Sequence, residues 1–123
     1  MILSIGIDTV TISNVERFLS NPHYADDIFT EREQQMAKES ADCVDTYARS
    51  FAAKQAVKKI LAEYMDVKEL DYTSIEVLTK GSFTFIKPDE TIQAILDKEG
   101  IKSLMVSITS EGDQATAFVM AQK

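Results

Sequence analysis

A long segment with a helical apolar pattern, from about Cys43 to Met65, constrains the fold of this chain more than any other feature. Its apolar residues recur every three or four positions, which is the spacing of one face of an α-helix. These residues are Val44, Tyr47, Ala48, Phe51, Ala53, Val57, Ile60, Leu61 and Tyr64. Because only one face of such a helix can be buried, we expect its lysines to lie elsewhere, on the exposed side.

The segments on either side of this helix predict strands and shorter helices. MILSIGID predicts a first strand, in which Ser4 and Gly6 share a face with Asp8 and leave room there for a ligand. Thr30 and Glu33 form a capping box that predicts a helix from about Glu31, and NPHY predicts a loop. The remaining predicted elements are a hairpin in SIEVLTKGSFTFIK, a short helix from Pro88 to Glu99 and a hairpin in KSLMVSITSEGDQATAFVMAQ.

This order of elements predicts an α+β fold in which a mostly antiparallel sheet packs against the long helix. A chain of 123 residues has the size of one domain, so we expect a single domain over residues 1–123. The formal net charge of −7 argues against a nucleic-acid partner. A single cysteine, Cys43, excludes an internal disulfide and a four-cysteine zinc site, and it is typical of a reducing, cytoplasmic setting.

No apolar run reaches membrane-spanning length, and the first residues lack the basic region of a signal peptide, so we expect no membrane partner. The chain has no GxxxxGK loop and no GxGxxG motif. His23 and Cys43 are its only histidine and cysteine, and nothing in the pattern indicates that they meet as a catalytic pair.

Several polar residues each have a functional and a structural interpretation. Asp8 stands at the end of the first predicted strand and is either a metal ligand or a turn or helix-cap residue. The cluster of Lys54, Lys58 and Lys59 is either a patch for a phosphorylated ligand or a solvated helix face. Two hydroxyls on the penultimate strand either contact a ligand or form the wet face of a sheet, and they belong to Ser107 and Thr109.

Five segments in order resemble one known family. They are IGIDTV near the start, IFTERE at Ile28 to Glu33, SFAAKQAVKKIL at Ser50 to Leu61, SIEVL at Ser74 to Leu78 and VSITSEGDQATAFV at Val106 to Val119. The patterns GIDxV, FT..E, RFAAKEAxxKAL, DIEV and VSxSHxxxxAxAxV, in this order, are those of the bacterial holo-acyl-carrier-protein synthase family. Its members are small 4′-phosphopantetheinyl transferases, and the resemblance covers nearly the whole chain.

The resemblance implies an activity in fatty acid biosynthesis, namely transfer of 4′-phosphopantetheine from coenzyme A to a serine of an acyl carrier protein. It implies that Asp8 and the residue at position 55 hold Mg²⁺, and that Lys54 and Lys59 meet phosphates. Lys59 is also a candidate for removing the serine proton, and it is grouped with Asp8 as catalytic. Contacts to coenzyme A are implied for Ser107, Thr109 and Ser110. A cytoplasmic homotrimer with shared active sites is implied as well.

Three departures from the family pattern fall on the implied site. Gln55 stands where the family has its metal-binding glutamate, Ser110 where it has a histidine, and Ser50 where it has an arginine, with Arg49 one residue earlier. An amide oxygen carries a dipole and no net charge, so it attracts a metal ion less strongly than a carboxylate does. If the metal-binding free energy falls by about 3 kcal/mol, the affinity falls about a hundredfold. The sequence therefore predicts a transferase with a weakened metal site, slow or specialised for an unusual carrier. The alternative is a catalytically degenerate relative that only binds a carrier protein, coenzyme A or another partner, or serves as an oligomeric subunit.

Overall fold

The structure is a computed structural model that describes all residues from 1 to 123. Five strands and five α-helices are joined by short turns, two of which are single 3-10 turns at Val67–Glu69 and Tyr72–Ser74. In chain order the elements are β1 (Ile2–Thr11), α1 (Ile12–Leu19), α2 (Pro22–Ile28), α3 (Glu31–Glu39), α4 (Cys43–Leu61), β2 (Ile75–Lys80), β3 (Phe83–Pro88), α5 (Glu90–Lys98), β4 (Ser103–Glu111) and β5 (Gln114–Gln122).

The strands form two antiparallel sheets. Three strands pair in the order β1-β5-β4, and β2 pairs with β3 in a separate hairpin. Helix α4 packs along one face of the three-stranded sheet, where the alternate residues of β5 that face the helix are fully buried. The α+β prediction, with an antiparallel sheet against a long helix, is confirmed. No helix in the structure is both long and apolar enough to span a membrane.

Small residues let α4 lie close to β1. Ala52, Ala53 and Ala56 are completely buried on the helix. Opposite them, a Cβ atom added to Gly6 would lie 2.1 Å from the backbone oxygen of Ala56. The predicted ligand space beside Gly6 is therefore wrong, because the backbone of α4 fills it.

The other face of the three-stranded sheet is open to solvent and partly apolar. Two rows of residues in cross-strand register run across it, one through Ile5, Met120 and Met105, the other through Ile7, Phe118 and Ser107. We call the apolar part of these rows the open face. Its most accessible members, each about half exposed, are Ile5, Ile7 and Met105.

The helix boundaries differ from the prediction in three places. The helix predicted from Pro88 to Glu99 begins at Glu90, because Pro88 is still paired in β3. NPHY was expected to be a loop, but Asn21 caps a helix that begins at Pro22, with its side chain accepting a hydrogen bond from the backbone of His23. Proline suits the first position of a helix as well as a turn, so the motif fits both. Helix α4 ends at Leu61, before the predicted Met65, where i→i−3 bonds tighten the chain into a turn that needs no glycine.

The predicted capping signal at the start of α3 is confirmed, and three glycines mark other chain reversals. Thr30 and Glu33 make the reciprocal capping box of α3. Gly81, Gly100 and Gly112 all have positive φ, at the β2–β3 turn, the end of α5 and the β4–β5 turn. Positive φ is readily adopted by glycine, so these residues mark where each segment reverses.

Candidate active site

Asp8 and Lys59 meet at the junction between β1 and α4. The Lys59 ammonium donates to Asp8 Oδ1 at 3.0 Å and to the backbone oxygen of Ile7 at 2.7 Å. The Lys59 side chain is 57% exposed and that of Asp8 is 20% exposed, so a ligand from solvent can reach the pair. The two residues expected to be catalytic, 51 positions apart in sequence, are in contact in the fold.

Gln55 lies one helical turn before Lys59 and has a different partner. Its Oε1 accepts a hydrogen bond of 3.0 Å from the hydroxyl of Tyr72, which follows the helix in sequence. That hydroxyl in turn accepts a hydrogen bond of 3.1 Å from the Lys58 ammonium. No hydrogen bond joins Gln55 to Asp8, the other expected metal ligand.

Lys54 does not lie on the exposed side of the helix. Its side chain is fully buried and forms a 2.8 Å ion pair with Glu33 of α3, whose side chain is only 2% exposed. The same ammonium donates to the backbone oxygens of Tyr72 at 2.9 Å and Ile75 at 2.7 Å. Burial lowers the pKa of Lys54, and the attraction of the Glu33 carboxylate acts in the opposite direction.

This arrangement corrects the expectation that Lys54 meets a phosphate. An ammonium group has three donors, and all three are used within the protein. Lys54 instead ties the segment before β2 to α4 and α3, which sets the position of Tyr72. The sequence pattern did not predict the burial of Lys54. Helix α4 is covered by other segments on more than one side, and a lysine can be buried there when it has an ion-pair partner.

Glu33 is a central residue that sequence reasoning treated only as part of a capping box. Its carboxylate accepts from the backbone of Thr30, from the Ser50 hydroxyl at 3.0 Å and from the Val77 backbone at 2.9 Å, in addition to Lys54. The available signal was the glutamate of the FT..E motif, which lies on a helix next to a lysine-bearing one. Ser50, one of the departures from the family pattern, serves here as a buried hydroxyl donor.

The three polar residues expected to contact coenzyme A do not share one face. Ser107 and Thr109 are exposed on the side of the sheet that bears the open face. Ser110 points to the other side, where its hydroxyl accepts a 3.2 Å hydrogen bond from Arg49. Arg49 also donates to the Ile108 backbone oxygen at 3.4 Å, so it is directed to β4.

A cleft of about 470 Å³ opens beside Arg49, between α4, the β2–β3 hairpin and β4. Its polar lining includes Arg49, Ser50, Thr79, Ser82 and Thr84. Ile108 forms part of its wall and lies in the same cross-strand row as Asp8, through Ala117 of the intervening strand. The cleft and the Asp8–Lys59 pair are therefore on the same side of the sheet, and sequence reasoning did not identify Thr79, Ser82 or Thr84.

The chain offers one carboxylate for a metal at this site. No three His, Cys, Asp or Glu side chains cluster closely enough to form a metal site. Mg²⁺ commonly binds one or two carboxylates together with phosphate oxygens and water, so Asp8 alone fits such an ion. Gln55 fits less well, because its oxygen already accepts from Tyr72. His23 and Cys43 are both exposed, and no hydrogen bond joins them.

Comparisons with known proteins agree with this fold. The model of the 4′-phosphopantetheinyl transferase superfamily matches residues 4–119. The holo-[acyl-carrier-protein] synthase of Alkaliphilus oremlandii is 30% identical over 98% of this chain and 99% of its own length.

Two solved structures show the same likeness in three dimensions. The crystal structure of the holo-[acyl-carrier-protein] synthase of Neisseria meningitidis superposes with a TM-score of 0.88 at 25% identity and covers 100% of both chains. The ACPS–CoA complex of Chronobacterium ammoniagenes superposes with a TM-score of 0.83 at 25% identity, over 97% of this chain and 96% of that one. Since the superfamily model matches almost the whole sequence, this chain belongs to the 4′-phosphopantetheinyl transferase superfamily.

Proposed function

We propose that this protein transfers 4′-phosphopantetheine from coenzyme A to a serine of an acyl carrier protein. The observation that carries the proposal is the Asp8–Lys59 pair, exposed at the junction of β1 and α4 in a chain of this superfamily. The relatives named above are holo-[acyl-carrier-protein] synthases, and one of the similar structures is a complex with coenzyme A.

The reaction forms a bond between the serine oxygen and the β-phosphorus of coenzyme A. It breaks the bond from that phosphorus to the bridging oxygen of the diphosphate, and it releases 3′,5′-ADP and the serine proton. Positioning and charge neutralisation account for most of the catalysis of such a transfer. Lys59 supplies the cation: its ammonium exchanges the Asp8 oxygen for a phosphate oxygen when coenzyme A binds.

Asp8 is the residue that would hold Mg²⁺, with its Oδ2 free of any partner within the chain. When bound, the ion would neutralise negative charge on the diphosphate and stabilise the charge that develops on the departing 3′,5′-ADP. The coenzyme A contacts expected from Ser107, Thr109 and Ser110 remain part of this proposal. Arg49 lines the cleft and donates a hydrogen bond to Ser110, whereas Ser107 and Thr109 would reach a donor bound across a subunit boundary.

We propose a homotrimer with the open face at the subunit boundary. The three most accessible residues of that face are large and apolar, which is typical of an interface and unusual for a free surface. The Ile7→Asp variant is expected to become monomeric by sedimentation velocity. Phe83→Asp at the tip of the β2–β3 hairpin, where Phe83 is 67% exposed, is the matched control and should leave the assembly intact.

A cytoplasmic location completes the proposal, because the one cysteine is exposed and unpaired, as is usual in a reducing compartment. The alternative of a catalytically degenerate binding protein is not favoured, since Asp8 and Lys59 are still in contact. The departures at Ser50 and Ser110 give these residues structural partners and leave that contact in place.

Intact mass spectrometry of carrier proteins tests the activity. Apo carrier proteins from the source organism are incubated with the protein, coenzyme A and Mg²⁺, and a mass gain of one phosphopantetheine is expected. Asp8→Ala should abolish the gain, and Asp27→Ala, on the exposed side of α2, should retain it. If no carrier gains mass while a known transferase modifies the same samples, the proposed activity is wrong.

A further inference from the structure

The hydrogen bonds around Gln55 determine which way its amide points. The Lys58 ammonium can only donate, so in their 3.1 Å hydrogen bond the Tyr72 oxygen must be the acceptor. Tyr72 donates its single hydroxyl proton to the Gln55 side chain, in a hydrogen bond of 3.0 Å. In the structure the atom that receives it is the acceptor Oε1, so the donor Nε2 lies on the opposite side of the amide.

Tyr72 is itself held firmly. Its ring packs against Phe51 with centroids 5.7 Å apart, and the Lys58 ammonium lies 5.2 Å from the ring centroid. Its backbone oxygen accepts from the buried Lys54, and Asp71 caps the 3-10 turn that contains it. The hydroxyl of Tyr72 therefore has a fixed position against α4, which makes it a reliable donor to Gln55.

Gln55 shares its part of α4 with two cationic residues, Lys58 and Lys59. Its Nε2 makes no hydrogen bond within the chain, and no buried side-chain polar atom lacks a partner, so Nε2 is accessible to solvent. Residues four apart on a helix are neighbours, so Lys59 lies beside Gln55 on α4. Lys58 and Lys59 each retain N–H donors beyond those used within the chain. Such a set of N–H donors binds an anion, and an amide that presents Nε2 repels a metal ion.

We propose that Gln55 donates a hydrogen bond through Nε2 to a phosphate oxygen of coenzyme A, and that it is not a ligand of Mg²⁺. Tyr72 and Lys58 are positioning residues, which act by fixing the Gln55 amide. This inference rests on the proposed function, because coenzyme A is the ligand that brings the phosphate. Near position 55, N–H donors of the protein then neutralise the negative charge of the phosphate, in place of a metal ion.

Calorimetric titration with coenzyme A in the presence of EDTA tests the inference without turnover. Both Gln55→Leu and Tyr72→Phe are expected to weaken binding about tenfold, the size of one hydrogen bond to a charged group. The double variant should lose no more than Gln55→Leu alone, since Tyr72 acts through Gln55. Tyr24→Phe, at an exposed tyrosine whose hydroxyl has no hydrogen-bond partner within the chain, is the matched control and should bind as the parent does.

A second measurement follows the amide directly. The side-chain NH₂ signals of Gln55, identified by their loss in Gln55→Leu, should shift when coenzyme A is added in EDTA. Thermal unfolding of each variant distinguishes the loss of a contact from the loss of the fold. The Gln55→Glu variant should need Mg²⁺ to bind coenzyme A, because its carboxylate would otherwise repel the phosphate. The inference is overturned if Gln55→Leu and Tyr72→Phe bind like the parent in EDTA, or if Gln55→Leu weakens binding only when Mg²⁺ is present. If the parent protein binds no coenzyme A at all, the proposed function fails, and the inference fails with it.

Discussion

Replacing Lys54 with methionine tests whether the buried ion pair organises the site. Methionine fills a similar volume but leaves Glu33 without its counter-charge, and it removes the donor to two backbone oxygens. Breaking a buried pair by removing one partner costs about 3–5 kcal/mol. Domains of this kind have total stabilities of about 5–15 kcal/mol, so the variant should unfold far more easily. For 123 residues we expect Tm to fall by roughly 10–20 °C.

Urea denaturation followed by circular dichroism measures the loss. Lys102→Met, at an exposed lysine in a loop, is the matched control and should change the free energy of unfolding by less than about 0.5 kcal/mol. The Glu33→Gln/Lys54→Met double variant should be more stable than Lys54→Met alone, because a neutral amide at position 33 needs no cation.

The result that refutes this reasoning is specific. If Lys54→Met lowers the free energy of unfolding by less than about 1 kcal/mol while it raises KM for coenzyme A, then Lys54 contacts a phosphate and the ion pair is unimportant. If both quantities change together, the buried role stands, because Tyr72 depends on Lys54 for its position.

Three further predictions concern charge, packing and pH. Asp8→Asn and Lys59→Met should each lower kcat at least a hundredfold in the carrier assay. Each should change the free energy of unfolding by less than about 1 kcal/mol, because the ion pair is partly exposed. Equal losses of stability and activity would contradict this prediction. Gly6→Ala should destabilise the fold by about 3 kcal/mol in urea, because its Cβ would collide with the Ala56 backbone oxygen, whereas Ser4→Ala on the same face should be nearly neutral. Burial raises the pKa of Tyr47, so this group leaves stability unchanged below the unfolded value of about 10 and reduces it as the pH rises further. Tyr47→Phe should therefore lose stability less steeply above pH 10 than the parent does, and parallel pH profiles would disprove the assignment.

The local elements were largely predictable because their signals are local. The capping box at Thr30 and Glu33 and the glycines at the two hairpin turns depend only on neighbouring residues. The NPHY segment was mistaken because asparagine followed by proline begins a turn and a helix equally well. The family was also predictable, because its motifs occur in order along nearly the whole chain.

The site was predictable only in part. Asp8 and Lys59 were chosen from separate motifs, and only the packing of α4 on β1 brings them together. The positions of Ser107, Thr109 and Ser110 along β4 were known, but the side of the sheet that each faces depends on which surface α4 covers. Gln55 was expected to turn its oxygen to a metal, and no local signal shows that Tyr72 takes that oxygen.

The sequence by itself determined most of the elements, their order and the family, because periodicity, caps and motif spacing are properties of short segments. Only the tertiary structure decided the roles of the lysines on α4. Lys54, Lys58 and Lys59 lie within two turns of one helix, yet one is buried on Glu33, one supports Tyr72 and one faces Asp8. Their environments differ because three separate parts of the chain pack around that helix, and burial by distant segments leaves no pattern in the helix itself.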